Sequence, residues 1–312
     1  MVEQYVTTFR VMMEILLIVA VGWGVRRLNL INGNAIRVIS QCTVGVFLPS
    51  LIFRNIVSEY SFFLLDYWWV YPLLGIAVSG FGALVGQGLV RAAGITSGKQ
   101  YVVSMLAFQN CGYLPLVLAQ RLCSPALAAA LMTAIFLFIQ GFNLVFWTIG
   151  VGYLNRGSIK PLDRLVTVMP LVALLAAGLV RLGHAEQAIP VAVLRSSALL
   201  GACTIPLALF TLGAAMTRCG EACRRNIRWL WWAGALKMLG MPACGMVLVS
   251  CIPLPPVMAA LLLIELAMPA AVNLSVVAQA NDDEAGILHQ GVLRMHIIGI
   301  FTIPLFLACL RQ

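Results

Sequence analysis

Apolar runs of about 20 residues, the length a helix needs to cross a bilayer, recur from one end of this 312-residue sequence to the other. They read as 9–26, 35–57, 68–90, 99–120, 126–151, 165–183, 191–216, 228–252, 257–279 and 286–310. Hydrophobic residues make up 62% of the chain and charged residues only 10%, where a soluble domain carries about a quarter charged. A water-soluble fold has no way to cover that much apolar surface, whereas a bilayer removes the need to. The pattern therefore predicts an all-α polytopic membrane protein of ten transmembrane helices joined by short connections, with no loop long enough to fold by itself.

The net charge of +9 is spread between the apolar runs rather than gathered in one patch, which reads as an orientation signal and not as a nucleic-acid footprint. Arg26, Arg27 and Arg37, then Arg91 and Lys99, then Arg156, Lys160 and Arg164, then Arg218, Arg224, Arg225 and Arg228 fall in alternate loops. Those loops are expected to face the cytoplasm, which puts both termini on the non-cytoplasmic side of the cell (inner) membrane. The acidic stretch Asn281–Asp282–Asp283–Glu284 falls on the same side, but acidic residues count little in this rule. Most of the nine cysteines, such as Cys42, Cys203 and Cys244, lie in apolar runs and read as small buried hydrophobes. Cys219 and Cys223 are close in sequence but lack the further Cys or His of a metal site. The first apolar run is followed, not preceded, by arginines, so it reads as a retained span and not a cleaved signal.

Two segments break the helical pattern inside apolar runs: Asn110–Cys111–Gly112–Tyr113–Leu114–Pro115 and Met268–Pro269–Ala270–Ala271–Val272–Asn273. Proline removes a backbone donor and clashes with the preceding turn, and in hydrocarbon each freed amide or carbonyl must find a partner. Pro49 and Pro206 lie 157 residues apart in the second halves of two other runs, and the same offset carries Gly112 onto Pro269. Spans two and seven thus correspond, as do four and nine. Each half then holds five spans, and an odd number forces the second half to enter inverted. The division is 1–152 for the first repeat, 153–164 for a short cytoplasmic linker and 165–312 for the second. Inverted repeats with discontinuous helices meeting near the midplane are a mark of secondary transporters. At such breaks helix N-termini face anions and free carbonyls face cations. A single such proline would be read as an ordinary kink; the matched pair with flanking asparagines points to a site. Pro49 and Pro206 fit either kinks in a cavity wall or ordinary kinks.

These motifs, with Phe47–Leu48–Pro49–Ser50–Leu51–Ile52–Phe53, the stretch from Ile205 to Gly213 and the run following Asn281, resemble the auxin efflux carrier family over essentially the whole chain. The resemblance implies the fold shared with bile acid sodium symporters. Spans one, two, six and seven would form a panel, and the rest a core in which spans four and nine are broken and cross. A small organic anion, auxin-like or a dicarboxylate such as malonate, would sit between panel and crossover and move by elevator-like alternating access. By motif, Asn110 and Asn273 would touch substrate, Gly112, Pro115 and Pro269 would shape the breaks, and Pro49 and Pro206 would border the cavity. Plant members carry a long loop after span five, where this chain has about a dozen residues, so a bacterial-type member is implied. They also carry an acidic residue in span three, where this chain offers only Gln87.

Charged side chains at membrane depth are functional by default; here they are Glu14, Lys237, Glu265, Arg294 and His296. Glu265 lies one turn before Pro269, and Glu265–Leu266–Ala267–Met268 looks like the sodium-ligating segment of bile acid symporters. Glu265 is the expected coupling carboxylate, for a proton or for sodium, with Lys237 either pairing with it or snorkelling towards the headgroups. Static pairing of the two is the plainer alternative. His296 reads as packing or as a proton relay, Arg294 as packing or as an attractor for the anion. Among the three histidines no nucleophile–base or metal pattern occurs, so no enzyme and no cofactor is expected beyond a coupling ion, H+ or Na+. No filter-like repeat suggests a channel. A sodium-coupled symporter is the nearest alternative. Membrane lipid and the anion are the expected partners; a homodimer is possible, though no motif argues for one.

Overall fold

The structure is a computed structural model that describes residues 2–58, 65, 67–156, 161–215, 228–278 and 282–308. Lys160, Arg218, Cys219, Cys223, Arg224, Arg225 and Asn281 lie outside the described residues. The described chain is helical throughout, with one isolated antiparallel bridge. The helices are α1 (Val2–Arg27), α2 (Gly33–Ser58), α3 (Val70–Ala92), α4 (Lys99–Ala107), α5 (Tyr113–Leu122), α6 (125–154), α7 (Pro161–Leu182), α8 (Val191–Ala215), α9 (228–251), α10 (Pro256–Ala267), α11 (Val272–Val277) and α12 (Asp282–Leu307).

Each predicted apolar run is occupied by helix, and the runs 99–120 and 257–279 are each split in two, as α4 with α5 and α10 with α11. Among the described residues, six helices are long and apolar enough to cross a membrane: Gly33–Ser58, Val70–Ala92, Ala130–Leu154, Val191–Ala215, Trp229–Cys251 and Gly286–Leu307. Two shorter apolar helices, Val168–Leu182 and Pro256–Ala267, accompany them. The acidic stretch after Asn281 is not a loop: α12 begins at Asp282, and acidic residues suit a helix N-terminus because they meet its positive dipole end.

Glycine sets the closest helix contacts, as expected where apolar solvent outside gives helices no hydrophobic reason to associate and backbone packing must do so. α1 and α8 meet through Gly22 against the Phe210 carbonyl and Gly213 against the Val19 carbonyl; a Cβ at either position would collide with backbone. α3 and α6 meet in the same reciprocal way through Gly75 and Gly141. α2 packs on α7 and on the first half of α8, α3 lies along α4, and α10 is enclosed by α6, α9 and α12. Large apolar side chains such as Leu84, Leu179, Leu199 and Phe301 stay exposed on the outside, where lipid would cover them. Trp68 and Trp69 beside the start of α3, and Trp231 and Trp232 near the start of α9, are exposed too, which fits an interfacial belt.

Three helices carry a π-helical turn: Thr43–Phe47 in α2, Phe146–Gly150 in α6 and Leu236–Gly240 in α9. Such turns concentrate at functional sites because the extra residue re-aims its neighbours. Here the first precedes Leu48 on a cavity wall, the second seats the α4–α5 break, and the third carries Lys237.

Candidate functional site: a crossing of two broken helices

The two breaks cross and bond to each other. Asn110 N–H donates to the Pro269 carbonyl (2.8 Å), and Ala271 N–H donates to the Phe108 carbonyl (2.9 Å). Gln109 and Ala270 face each other in this antiparallel bridge. Two groups that a broken helix leaves orphaned on one segment are thereby satisfied by the other, which is how irregular backbone survives at membrane depth. The prolines are cheap in this setting. Pro115 is the third residue of α5, where the first turn has no intrahelical acceptor for its N–H groups, and Pro269 contributes only its carbonyl. The break itself runs over 108–112, and Pro115 sits just past it, in the first turn of the outgoing helix. On either side of the Gln109–Ala270 bridge, Asn110 opposes Pro269 and Phe108 opposes Ala271; Asn273 lies two residues beyond Ala271, inside α11.

Phe108 anchors the first break. Its ring meets Phe142 and Phe146 edge-on at 5.8 and 5.1 Å, a favoured arrangement of aromatic quadrupoles, and it fills the space left by Gly150. On the second break, Asn155 Nδ2 donates to the Val277 carbonyl at the end of α11 (3.1 Å).

Beside the crossing lies a cavity of about 80 Å³. α2 supplies Leu48, Leu51, Ile52 and Asn55 to its wall, α6 supplies Phe136, Gln140 and Asn143, and the breaks supply Gln109, Asn110, Gly112 and Asn273. The polar lining is almost entirely amide, with no charged side chain among the described lining residues. α5 and α11 both start at this cavity, capped by Gly112 and Ala271. Their first-turn N–H groups lack intrahelical partners and carry the positive end of the helix dipole.

Of the residues singled out from sequence, Asn110, Gly112 and Asn273 line the cavity, while Pro115 and Pro269 are buried behind it. Pro49 is half-buried next to the lining residue Leu48, and Pro206 is exposed on α8, away from the lining. Asn55, Gln140 and Asn143 were not foreseen. Their signal was available, since an amide in the middle of an apolar run must find a partner just as a charge must.

A second cluster sits against the crossing. Glu265 is fully buried on α10, and among the described residues neither carboxylate oxygen has a hydrogen-bond partner. Gln109 is fully buried and its two amide atoms likewise have none among the described residues, although the two side chains lie close enough to interact. Lys237 is fully buried on α9 and donates from Nζ to the Leu106 carbonyl (2.9 Å), in the last turn of α4. It does not snorkel, as one sequence reading had it: its ammonium caps a helix C-terminus, where the dipole is negative. Lys237, Glu265 and Cys111 share one electrostatic neighbourhood, yet no ion pair joins Lys237 to Glu265 among the described residues. His296, buried on α12, bridges the Val292 carbonyl and Asn110. Arg294 turns instead to Gln290 (3.0 Å) and lies over the Trp231 ring at 5.0 Å. Glu14 is exposed on α1. Among the described residues no cluster of His, Cys, Asp and Glu could hold a metal ion.

A search of curated proteins finds no match to the chain. The model of one family, described as membrane transport protein, matches residues 7–165 and 170–307. A match over nearly the whole chain, on a helical fold with several membrane-length apolar helices, establishes that this protein belongs to the membrane transport protein family, the auxin efflux carrier type, and is a multi-pass membrane transporter.

Proposed function

We propose that the protein is a secondary transporter of a small organic anion, an auxin-like acid or a dicarboxylate such as malonate, working by elevator-like alternating access. The observation that carries this reading is the bonded crossing of two broken helices, whose outgoing halves α5 and α11 both begin at one amide-lined cavity. Helix N-termini and amide N–H groups hold a carboxylate without a fixed counter-charge. That lets the site release its cargo after the core moves. The chain is then ten spans in two inverted five-span repeats, 1–152 and 165–312, with the α4–α5 and α10–α11 pairs each counting as one span. Asn110, Gly112 and Asn273 contact substrate, and Pro115, Pro269, Pro49 and Pro206 shape the breaks and the panel. Both termini lie on the non-cytoplasmic side of the cell membrane.

Glu265 with Lys237 is the coupling pair in this reading. Lys237 already supplies a cation at the C-terminal end of α4, which favours a proton over sodium as the coupling ion. The sodium-coupled alternative draws on the unpartnered oxygens of Glu265 and Gln109, an arrangement of hard oxygen atoms suited to a small cation. Uptake of labelled carboxylates into proteoliposomes under an imposed proton or sodium gradient separates the two. A saturable uptake driven by one gradient, and uncoupled from it by Glu265→Gln, is expected. Uptake indifferent to both gradients and to the substitution would reject Glu265 as the coupling site, and no uptake of any carboxylate would reject the anion reading.

A further inference from the structure

His296 is buried on α12, 1% exposed. Its Nδ1 lies 2.8 Å from the Val292 carbonyl oxygen. A carbonyl only accepts, so Nδ1 carries the proton. In the neutral ring Nε2 is then a bare acceptor, and it faces Asn110 Nδ2 at 3.5 Å. The ring thus holds the nitrogen end of the Asn110 amide. Asn110 is also a lining residue of the cavity, so whatever turns its amide changes what that cavity offers.

We propose that His296 and Asn110 form a proton-operated donor switch for the anion, a reading that rests on the cavity being the anion site. When Nε2 takes a proton it becomes a donor and can no longer accept from Nδ2. Two donors then face each other, and the amide turns over by half a turn about its last side-chain bond. Oδ1 now accepts from Nε2–H, and both N–H groups of Nδ2 are released towards the cavity. The bookkeeping is one proton gained at Nε2 from the aqueous side to which the cavity is open, with Nδ1–H kept throughout. That proton leaves when the anion leaves. The charged state adds a positive ring behind the amide and two donors in front of it, both of which favour a carboxylate. The neutral state removes the positive charge and holds one of the two N–H donors against Nε2.

The titratable and charged groups on the elements packed against α12 are Arg228, Lys237, Cys244 and Cys251 on α9; Glu265 on α10, which shares one field with Lys237; Lys99 and Tyr101 on α4; Arg195 and Cys203 on α8; and Glu3, Tyr5, Arg10, Glu14, Arg26 and Arg27 on α1. Cys111 in the first break and Asp282, Asp283, Glu284, His289 and Arg294 on α12 itself complete the set. Among the described residues only Val292 and Asn110 bond to the ring, so its proton affinity reports on Asn110 directly.

The test is the pH dependence of malonate and indole-3-acetate binding to the purified full-length protein, over a range in which each probe keeps its charge. For wild type the dissociation constant is expected to rise with pH, by up to about tenfold per unit above the titration of the free site, because one proton is bound with each anion. In a Glu265→Gln background, where the carboxylate no longer titrates, the dependence is expected to persist with His296 and to shrink to less than about twofold in His296→Gln, whose side chain accepts from Asn110 but does not titrate. An unchanged slope in that variant overturns the proposal. A wild type that binds neither probe overturns the anion reading, a separate failure. Should His296→Gln not fold, nitrogen NMR of 15N-histidine-labelled wild type decides the switch: the Nδ1–H tautomer at high pH, gaining a proton when the probe is added, is expected. An Nε2–H tautomer, or a ring indifferent to the probe, overturns it.

Discussion

Lys237 shows how little a residue's type says about its role until its neighbours are known. Its long stem in an apolar run is compatible with snorkelling, but the ammonium lies fully buried against a carbonyl at the end of α4. Lys237→Met strands the Leu106 carbonyl that its Nζ now caps, and is expected to lower stability by about 1–3 kcal/mol, the cost of leaving a buried acceptor unpartnered. Whether Lys237 is also coupled to its neighbour Glu265 is read by a double-mutant cycle with Glu265→Gln on urea unfolding in detergent, where non-additive losses are expected. Equal and additive losses would mean that the two side chains do not sense each other. At the surface, Glu186 in the loop between α7 and α8 is held below the usual carboxylate range by a hydrogen bond from its own backbone N–H and by Arg181 at 2.8 Å. A depressed carboxylate contributes stability that is present above its unfolded-state pKa and lost as pH falls through the folded one. Arg181→Gln is expected to move its titration back up, as seen by carboxyl NMR; an unmoved titration would leave the backbone bond as the whole cause.

At the scale of elements, the sequence made the existence of the breaks legible and left their register hidden. Gly112, Pro115 and Pro269 stand inside long apolar runs, and that conflict between propensity and pattern is visible without coordinates. The register depends on which carbonyl meets which N–H at the crossing, Pro269 with Asn110 and Phe108 with Ala271, a tertiary fact that side-chain types do not encode. The amides Asn55, Gln140 and Asn143 stand in apolar runs without a helix break beside them, so the sequence marks them less sharply than Asn110 and Asn273. The helix contacts were equally unreadable. Glycines are frequent in the chain, and only the fold tells Gly213, pressed against the Val19 carbonyl, from Gly178, which has open space beside it. Two substitutions separate these ideas. Gly213→Ala is expected to cost about 1–3 kcal/mol through overpacking at the α1–α8 contact, while Gly178→Ala should be neutral or slightly stabilising. Pro115→Ala is expected to cost less than about 1 kcal/mol, since no helical hydrogen bond is restored or lost in a first turn. Thermal unfolding in detergent ranks all three, and a Pro115→Ala change as large as that of Gly213→Ala would contradict the placement of Pro115 at a helix start.

At the scale of the whole molecule, composition and run length were enough to read a helical membrane protein, because bilayer thickness fixes helix length and hydrocarbon forbids unpaired backbone. The motifs then pointed to the transporter family to which the chain belongs. Substrate and coupling are less legible, because a cavity lined by amides and apolar side chains carries no residue type that singles out one ligand or one ion. The central claim, that substrate binds where the two broken helices cross, is tested most directly by uptake kinetics. Labelled malonate and indole-3-acetate would be offered to proteoliposomes holding wild type, Asn110→Ala or Asn273→Ala, each checked for unchanged thermal unfolding. Loss of a hydrogen bond to a charged group is worth about 1.5–3 kcal/mol, so each substitution is expected to raise KM at least about tenfold for the probe that wild type transports. Folded variants that transport that probe with the wild-type KM would contradict the claim and move the binding site away from the crossing.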